Sequence, residues 1–110
     1  MEIDTFVRIG GHKKICPTSI LMLKADINYT YIYFIDGSCI LSSTNIGILE
    51  KRLKESDFFR SHRSTIINLK YVSDFEDKDT IRNSSIIRLT NGTKIPLSRR
   101  KAAVFFKIIQ

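Results

Sequence analysis

Tyr29-Thr30-Tyr31-Ile32-Tyr33-Phe34-Ile35-Asp36-Gly37-Ser38-Cys39-Ile40-Leu41 is the stretch whose reading decides the fold class. Aromatic and β-branched residues fill its first half, and these side chains suit a pleated strand better than a helix. Asp36-Gly37 then offers the left-handed backbone of a two-residue type I′ hairpin turn. Such a turn pairs Phe34 with Cys39, Tyr33 with Ile40 and Ile32 with Leu41. Both faces of the hairpin are then apolar, so it is expected in the core, with most of the tyrosine rings packed there.

A second hairpin is expected over residues 85–97, around Asn91-Gly92. A two-residue loop there sets Leu89 opposite Lys94 and Arg88 opposite Ile95, mixing apolar and charged residues on each face. A three-residue loop, Thr90-Asn91-Gly92 with Gly92 left-handed in a G1 bulge, pairs Ile87 with Ile95 instead. Leu89 and Leu97 then share one side while Arg88 and Lys94 share the other, and this is the expected register. Further strands are expected over residues 6–9, 19–24, 64–68 and 71–76.

Two helices complete the pattern. Over residues 44–55, Ile46, Leu49 and Leu53 fall on one helical face, Ser43 or Thr44 is available as N-cap, and Glu50 stands four residues before Lys54. This helix reads as a structural cover. In the last helix Ala102, Phe105, Phe106 and Ile109 make an apolar stripe, with Ser98 as N-cap after Pro96.

At 110 residues, 43% hydrophobic and 26% charged, the chain has ordinary globular composition and is expected to form a single domain, residues 1–110. The longest uncharged stretch, residues 37–49, is too short and too rich in Ser and Thr to cross a bilayer, and Met1-Glu2-Ile3-Asp4 is not the start of a signal peptide. A soluble cytoplasmic protein without membrane insertion is therefore expected. Cys16 and Cys39 lack CxxC spacing and read as buried reduced thiols; His12, Cys16, Cys39 and His62 lack zinc-ligand spacing, so no metal or cofactor is expected.

The net charge of +7 has a location. Residues 1–43 balance four bases against four acids, residues 44–79 balance seven against seven, and residues 80–110 carry seven bases, Arg82 among them, and no acid. Segregated positive charge favours a polyanion, although acidic proteins and membrane surfaces satisfy the same electrostatics. Arg99, Arg100 and Lys101 occupy the first turn of the last helix, where the dipole disfavours cations by about 0.3–1 kcal/mol each. Stability alone does not choose that arrangement; a phosphate docking on the free N–H groups and the three cations accounts for it.

Phe58-Phe59-Arg60-Ser61-His62-Arg63-Ser64-Thr65-Ile66-Ile67-Asn68 sets a donor-rich turn between apolar anchors. Arg63 can grip guanine bidentately or hold a phosphate, and Ser64 and Asn68 can contact backbone oxygens or satisfy their own loop. His62 reads as a hydrogen-bonded structural residue and Asn68 as a turn-stabilising one.

Taken together, Lys24-Ala25-Asp26-Ile27-Asn28-Tyr29-Thr30, Leu49-Glu50-Lys51-Arg52-Leu53, residues 58–64, Asn68, Asn91-Gly92 and Ile95-Pro96-Leu97-Ser98-Arg99-Arg100 resemble the LytTR family of bacterial DNA-binding domains, over about residues 20–106. The resemblance implies a mostly β fold, with two short helices and about ten strands in small antiparallel sheets, that reads DNA through loops placed in successive major grooves. It assigns one loop to Asn28, Tyr29 and Thr30, another to Arg63 and Ser64, and a third to the junction Ser98, Arg99 and Arg100; Lys101 joins the expected site as the third cation of the helix's first turn. Arg63 and Arg100 are the expected base readers, Ser64, Ser98 and Arg99 face phosphates, and Thr30 is a weaker base-contact candidate. Paired direct repeats in promoters, and so two copies per DNA site, are expected. Regulators of this kind commonly carry an upstream receiver domain. This chain has no room for one, so a stand-alone regulator or an isolated domain is expected.

Two other classes compete. A basic β module could bind single-stranded RNA by stacking bases on Tyr29, Tyr31 and Tyr33. An enzyme could be drawn from His62, Ser64 and an acid, but two histidines, no nucleophile elbow and no paired-carboxylate spacing argue against it.

Overall fold

The computed structural model describes residues 6–79 and 84–109; the Met1-Glu2-Ile3-Asp4 start and Arg82 lie outside the described residues. The chain falls into two compact units, Met1–Lys70 and Tyr71–Gln110.

In the first unit β1 (Val7–Gly10) pairs with β2 (Lys13–Ile15). The rest is a five-stranded antiparallel sheet, with β3 (Ile20–Asp26), β4 (Tyr29–Phe34), β5 (Cys39–Ser42), β6 (Phe58–His62) and β7 (Thr65–Asn68) in the order β5-β4-β3-β7-β6. Helix α1 (Ile46–Arg52) contributes Ile46 and Leu49 to the core, joined by Leu53 just past its end and by Leu23, Ile32 and Ile66 from the sheet. Fully burying each such side chain stabilises the fold by about 1.5–3 kcal/mol. Asn68 is the structural residue expected: buried, it donates from Nδ2 to the Ile20 carbonyl at 2.8 Å and accepts the Lys70 N–H at 3.0 Å.

The first hairpin departs from its expected register by one residue. Tyr33 pairs with Cys39, Ile32 with Ile40 and Tyr31 with Leu41. Phe34 N–H donates to Ser38 O at 2.9 Å and Gly37 N–H to Phe34 O at 3.0 Å, so the loop is Ile35-Asp36-Gly37 with Gly37 at φ +92°. Only one face turns inward, carrying Thr30, Ile32 and Ser42; Tyr29, Cys39 and Leu41 are exposed and Tyr31 and Tyr33 half-buried. The tyrosines form a surface stripe, with the Tyr31 and Tyr33 ring centroids 6.4 Å apart, rather than core. The expectation of two buried thiols is overturned: both are free, but Cys39, moved to the outer face by the shift, is exposed, and Cys16, just past β2, is half-buried.

Helix α1 is capped one residue later than expected. Asn45, rather than Ser43 or Thr44, accepts the Ile48 N–H on its side chain at 2.9 Å. Because the helix ends at Arg52, Lys54 is out of place for an i,i+4 pair, and Glu50 pairs instead with Arg60.

In the second unit β8 (Val72–Asp79), β9 (Ser84–Leu89) and β10 (Lys94–Leu97) form a sheet in the order β10-β9-β8, and helix α2 (Arg99–Ile109) packs on β9 and β10. Ile95 lies opposite Ile87 and Lys94 opposite Arg88, as face consistency predicts, and Gly92 closes the three-residue loop at φ +91°. Ala102 and Phe105 are buried, and Phe75 of β8 meets the Phe105 and Phe106 rings at 5.7 and 5.1 Å. The apolar stripe of α2 stops there, since Ile109 is exposed. Ten strands in three antiparallel sheets with two α-helices, among the described residues, make the fold mostly β. No described helix is long and apolar enough to cross a membrane.

Candidate nucleic-acid interface

Sheet topology brings two of the expected loops to the same end of the five-stranded sheet. Strands β3 and β4 are joined by Ile27 and Asn28, with Asp26 opposite Tyr29; β6 and β7 are joined at Arg63 and Ser64. Strand β7 runs antiparallel to β3 with Thr65 opposite Lys24, and Ala25 N–H donates to Ser64 O at 2.8 Å. The two turns are thus fastened together through backbone.

The Arg63 turn is stiffened from beneath by Arg60. Its guanidinium donates from Nε to His62 O at 3.2 Å and from Nη2 to Arg63 O, while Nη1 meets Glu50 Oε1 of α1 at 2.6 Å. One planar fork holds both carbonyls of the turn, a task that needs fixed directions as well as charge. His62 Nδ1 accepts the Ser64 N–H at 3.1 Å, and therefore also accepts the Ser64 hydroxyl at 2.8 Å. Arg63 itself is exposed, and no side-chain partner holds it among the described residues.

The third element is the junction of β10 with α2. Ser98 caps the helix as expected: its Oγ accepts the Lys101 N–H at 3.3 Å and its carbonyl accepts the Ala102 N–H at 2.9 Å. An accepting hydroxyl still has its own proton to donate, so capping and phosphate contact are compatible. Arg99 and Arg100 are exposed without a partner among the described residues, and the first turn holds no acid. Arg99 and Arg100, with half-buried Lys101 beside them, therefore stand at the helix end where the dipole is positive and anions are favoured.

Among known proteins, the family described as the LytTr DNA-binding domain matches residues 10–110. The chain belongs to the LytTR family of DNA-binding domains. It is 34% identical over 74 residues to the sensory transduction protein LytT of Bacillus subtilis, covering 67% of this chain and 30% of that protein. To the LytT protein of Bacillus cereus it is 26% identical over 116 residues, covering 96% of this chain and 46% of the relative. The chain thus spans less than half the length of these curated relatives. A solved LytTr DNA-binding domain from Bacillus cereus shares the fold at a TM-score of 0.73 and 22% identity, covering 99% of this chain and 98% of that one.

Within this LytTR domain the expected residues separate by position. Asn28, Tyr29, Arg63, Ser98, Arg99 and Arg100 are exposed, and Lys101 is half-buried. Thr30 is not available: it is 0% exposed, and its hydroxyl donates to Thr44 O at 2.8 Å. It supports the loop from inside the sheet, and its buried hydroxyl does not face a base. Ser64 spends its hydroxyl proton on His62 and is better placed to hold the turn than to meet a phosphate.

Three features escaped the sequence reading. Arg60, read only as part of the donor-rich turn segment, is a brace. Arg88, counted with the acid-free segment, is bridged to Asp74 at 2.8 Å and Glu76 at 2.8 Å, because β8 brings acids of the neutral middle segment beside it. Ile27, which no pattern singled out, sits at the tip of the β3–β4 turn at φ +57° and 91% exposed. Positive φ in a β-branched residue costs about 1–2 kcal/mol. The sequence does carry a signal for it: a two-residue link between strands requires positive φ, and neither Ile27 nor Asn28 is glycine.

Proposed function

We propose that this LytTR domain binds duplex DNA sequence-specifically as part of a transcriptional regulator, and that its turns rather than a recognition helix enter successive major grooves. The observation that carries the reading is the contrast between held and unheld cations. Arg60 and Arg88 are tied to acids, whereas Arg63 on its braced turn and Arg99 and Arg100 in the capped first turn of α2 are exposed without partners among the described residues. Arg63 and Arg100 read base edges, and Ser98 and Arg99 hold phosphates beside the α2 N-terminus. Asn28 and Tyr29 shape the neighbouring loop, and Lys101 adds charge. Two copies occupy paired direct repeats.

Selection of bound fragments from a random duplex library tests this, with a repeated motif as the expected product. Arg100→Ala should cost about 1–3 kcal/mol and relax preference at one base position. Arg99→Ala should weaken all sequences alike and reduce the salt slope by about 1. Equal affinity of the wild type for every duplex across a salt series defeats the proposal. DNA recovered chemically unchanged after long incubation is expected, since the reading is of a binder and not an enzyme.

The half-exposed stripe of Tyr29, Tyr31 and Tyr33 is the observation that favours single-stranded RNA as the runner-up. Direct competition separates the two. Stronger RNA binding that is lost on Tyr31→Ala would establish the alternative.

A further inference from the structure

Ile27 combines two features that oppose the stability of the free protein. Its backbone is held at φ +57°, where a β-branched side chain is strained, and its side chain is 91% exposed, so no packing offsets the strain. The neighbouring residue is Asn28, a type that tolerates positive φ well, yet it occupies the turn position that does not need it. Local rules broken without internal compensation point outward, to something the side chain meets. What it meets is constrained by its surroundings: Ile27 shares its end of the sheet with Lys24 and the Arg63 turn, both exposed and cationic. A polyanion with an apolar feature fits. In the major groove of DNA that feature is the thymine 5-methyl group.

We infer that Ile27 is a specificity-determining residue that packs on a thymine methyl. The inference rests on the DNA-binding reading and adds a contact to it. The β3–β4 turn then reads one thymine by apolar contact, while the adjoining Arg63 turn reads by hydrogen bonding. The strain keeps the side chain presented before DNA arrives, so little ordering is needed on binding.

The test uses the 110-residue chain and its selected duplex, with each thymine replaced in turn by deoxyuracil, which removes only the methyl group. Wild type and Ile27→Val are expected to lose about three- to fivefold in affinity at one thymine position, the worth of one buried methyl. Ile27→Gly should show no loss at that position, and its denaturation midpoint without DNA should not fall. A uracil profile in Ile27→Gly identical to wild type, with sequence preference intact, overturns this inference alone. Absence of sequence preference in the wild type overturns the DNA reading and the inference with it. Binding to anionic lipid vesicles that depends on Ile27 and is indifferent to thymine methyls also overturns it, assigning the exposed side chain to a membrane surface.

Discussion

Replacing Thr30 by Val separates a residue that reads DNA from one that holds the reader in place. Thr30 is 0% exposed and its hydroxyl donates to the Thr44 carbonyl at 2.8 Å, just before the Asn45 cap of α1. Valine keeps the branched shape and puts a methyl where the donor was. The bond is lost and a carbonyl is left facing an apolar group, together about 1–3 kcal/mol. For a domain of this size about 1 kcal/mol corresponds to about 4 °C, so the midpoint of thermal unfolding should fall by about 4–12 °C. Fluorescence anisotropy well below that midpoint, on the selected duplex and a scrambled one, should return the wild-type affinity ratio within about twofold. Unchanged stability together with lost preference at one base would refute the reasoning, because the hydroxyl would then have to reach DNA rather than Thr44. Thr30→Ser, which keeps the donor, should retain most of the stability that Thr30→Val loses.

Gly37→Ala and Gly92→Ala should each destabilise by about 1–2 kcal/mol in urea titrations. At φ +92° and +91° a Cβ meets no atom within 4 Å, so the cost is backbone strain alone. Asp36 has its pKa lowered below the ordinary carboxylate value, first by the Ser38 hydroxyl and then by the Ser38 N–H that donate to it. A depressed folded value means that its contribution is present above the unfolded pKa and is lost as pH falls through the folded one. Urea midpoints should therefore be flat in this respect from neutral to about pH 5 and drop below about pH 4. Asp36→Asn should remove that acid dependence while keeping the turn, since Asn91 accepts the Thr93 N–H at 3.0 Å in the matching place of the other hairpin. Arg60→Lys keeps the charge but not the fork, so it should lower the ratio of specific to non-specific affinity with little change in salt slope. In an Arg63→Ala background it should have no further effect on that ratio, and additivity of the two substitutions would show that Arg60 does not act through Arg63.

The two hairpins show what made the fold legible in one place and not in another. Both close through a three-residue loop with a left-handed glycine third, Ile35-Asp36-Gly37 and Thr90-Asn91-Gly92. In the second, charged Arg88 and Lys94 must share a face, and a register slip of one residue would bury one of them, so side-chain pattern alone selects the right pairing. In the first, every residue from Tyr31 to Leu41 outside the turn is apolar or aromatic apart from Ser38. A slip there exchanges one apolar set for another, and the Asp-Gly signal suits either loop length. The slip places Cys39 and Leu41 on the face of Tyr31 and Tyr33 instead of the face of Ile32, and that outer face is the exposed to half-buried one.

The site was legible wherever local chemistry decides it and illegible wherever a partner arrives from a distant strand. Ser98 as a cap and three cations behind it follow from adjacent residues, and the structure keeps both. Counting charge along the chain could not show that Arg88 meets Asp74 and Glu76, or that Arg60 meets Glu50, because those acids lie 10–14 positions away. Pairing changes what the count means. The basic excess of residues 80–110 is not uniformly available, because Arg88 is already paired with Asp74 and Glu76 while Arg99 and Arg100 are exposed without a partner among the described residues. Two positions then stand out as choices that stability does not explain: cations on the positive end of α2, and a β-branched residue at positive φ on the β3–β4 turn. One disfavours the free protein through charge and the other through backbone strain. Both penalties are relieved by one kind of partner, which offers phosphates to the first and a methyl-bearing groove to the second. An acidic protein surface would satisfy only the cations and an apolar surface only Ile27, whereas the duplex DNA proposed as partner offers both. An anionic lipid surface offers both as well, and the vesicle and deoxyuracil arms of the Ile27 test tell the two apart.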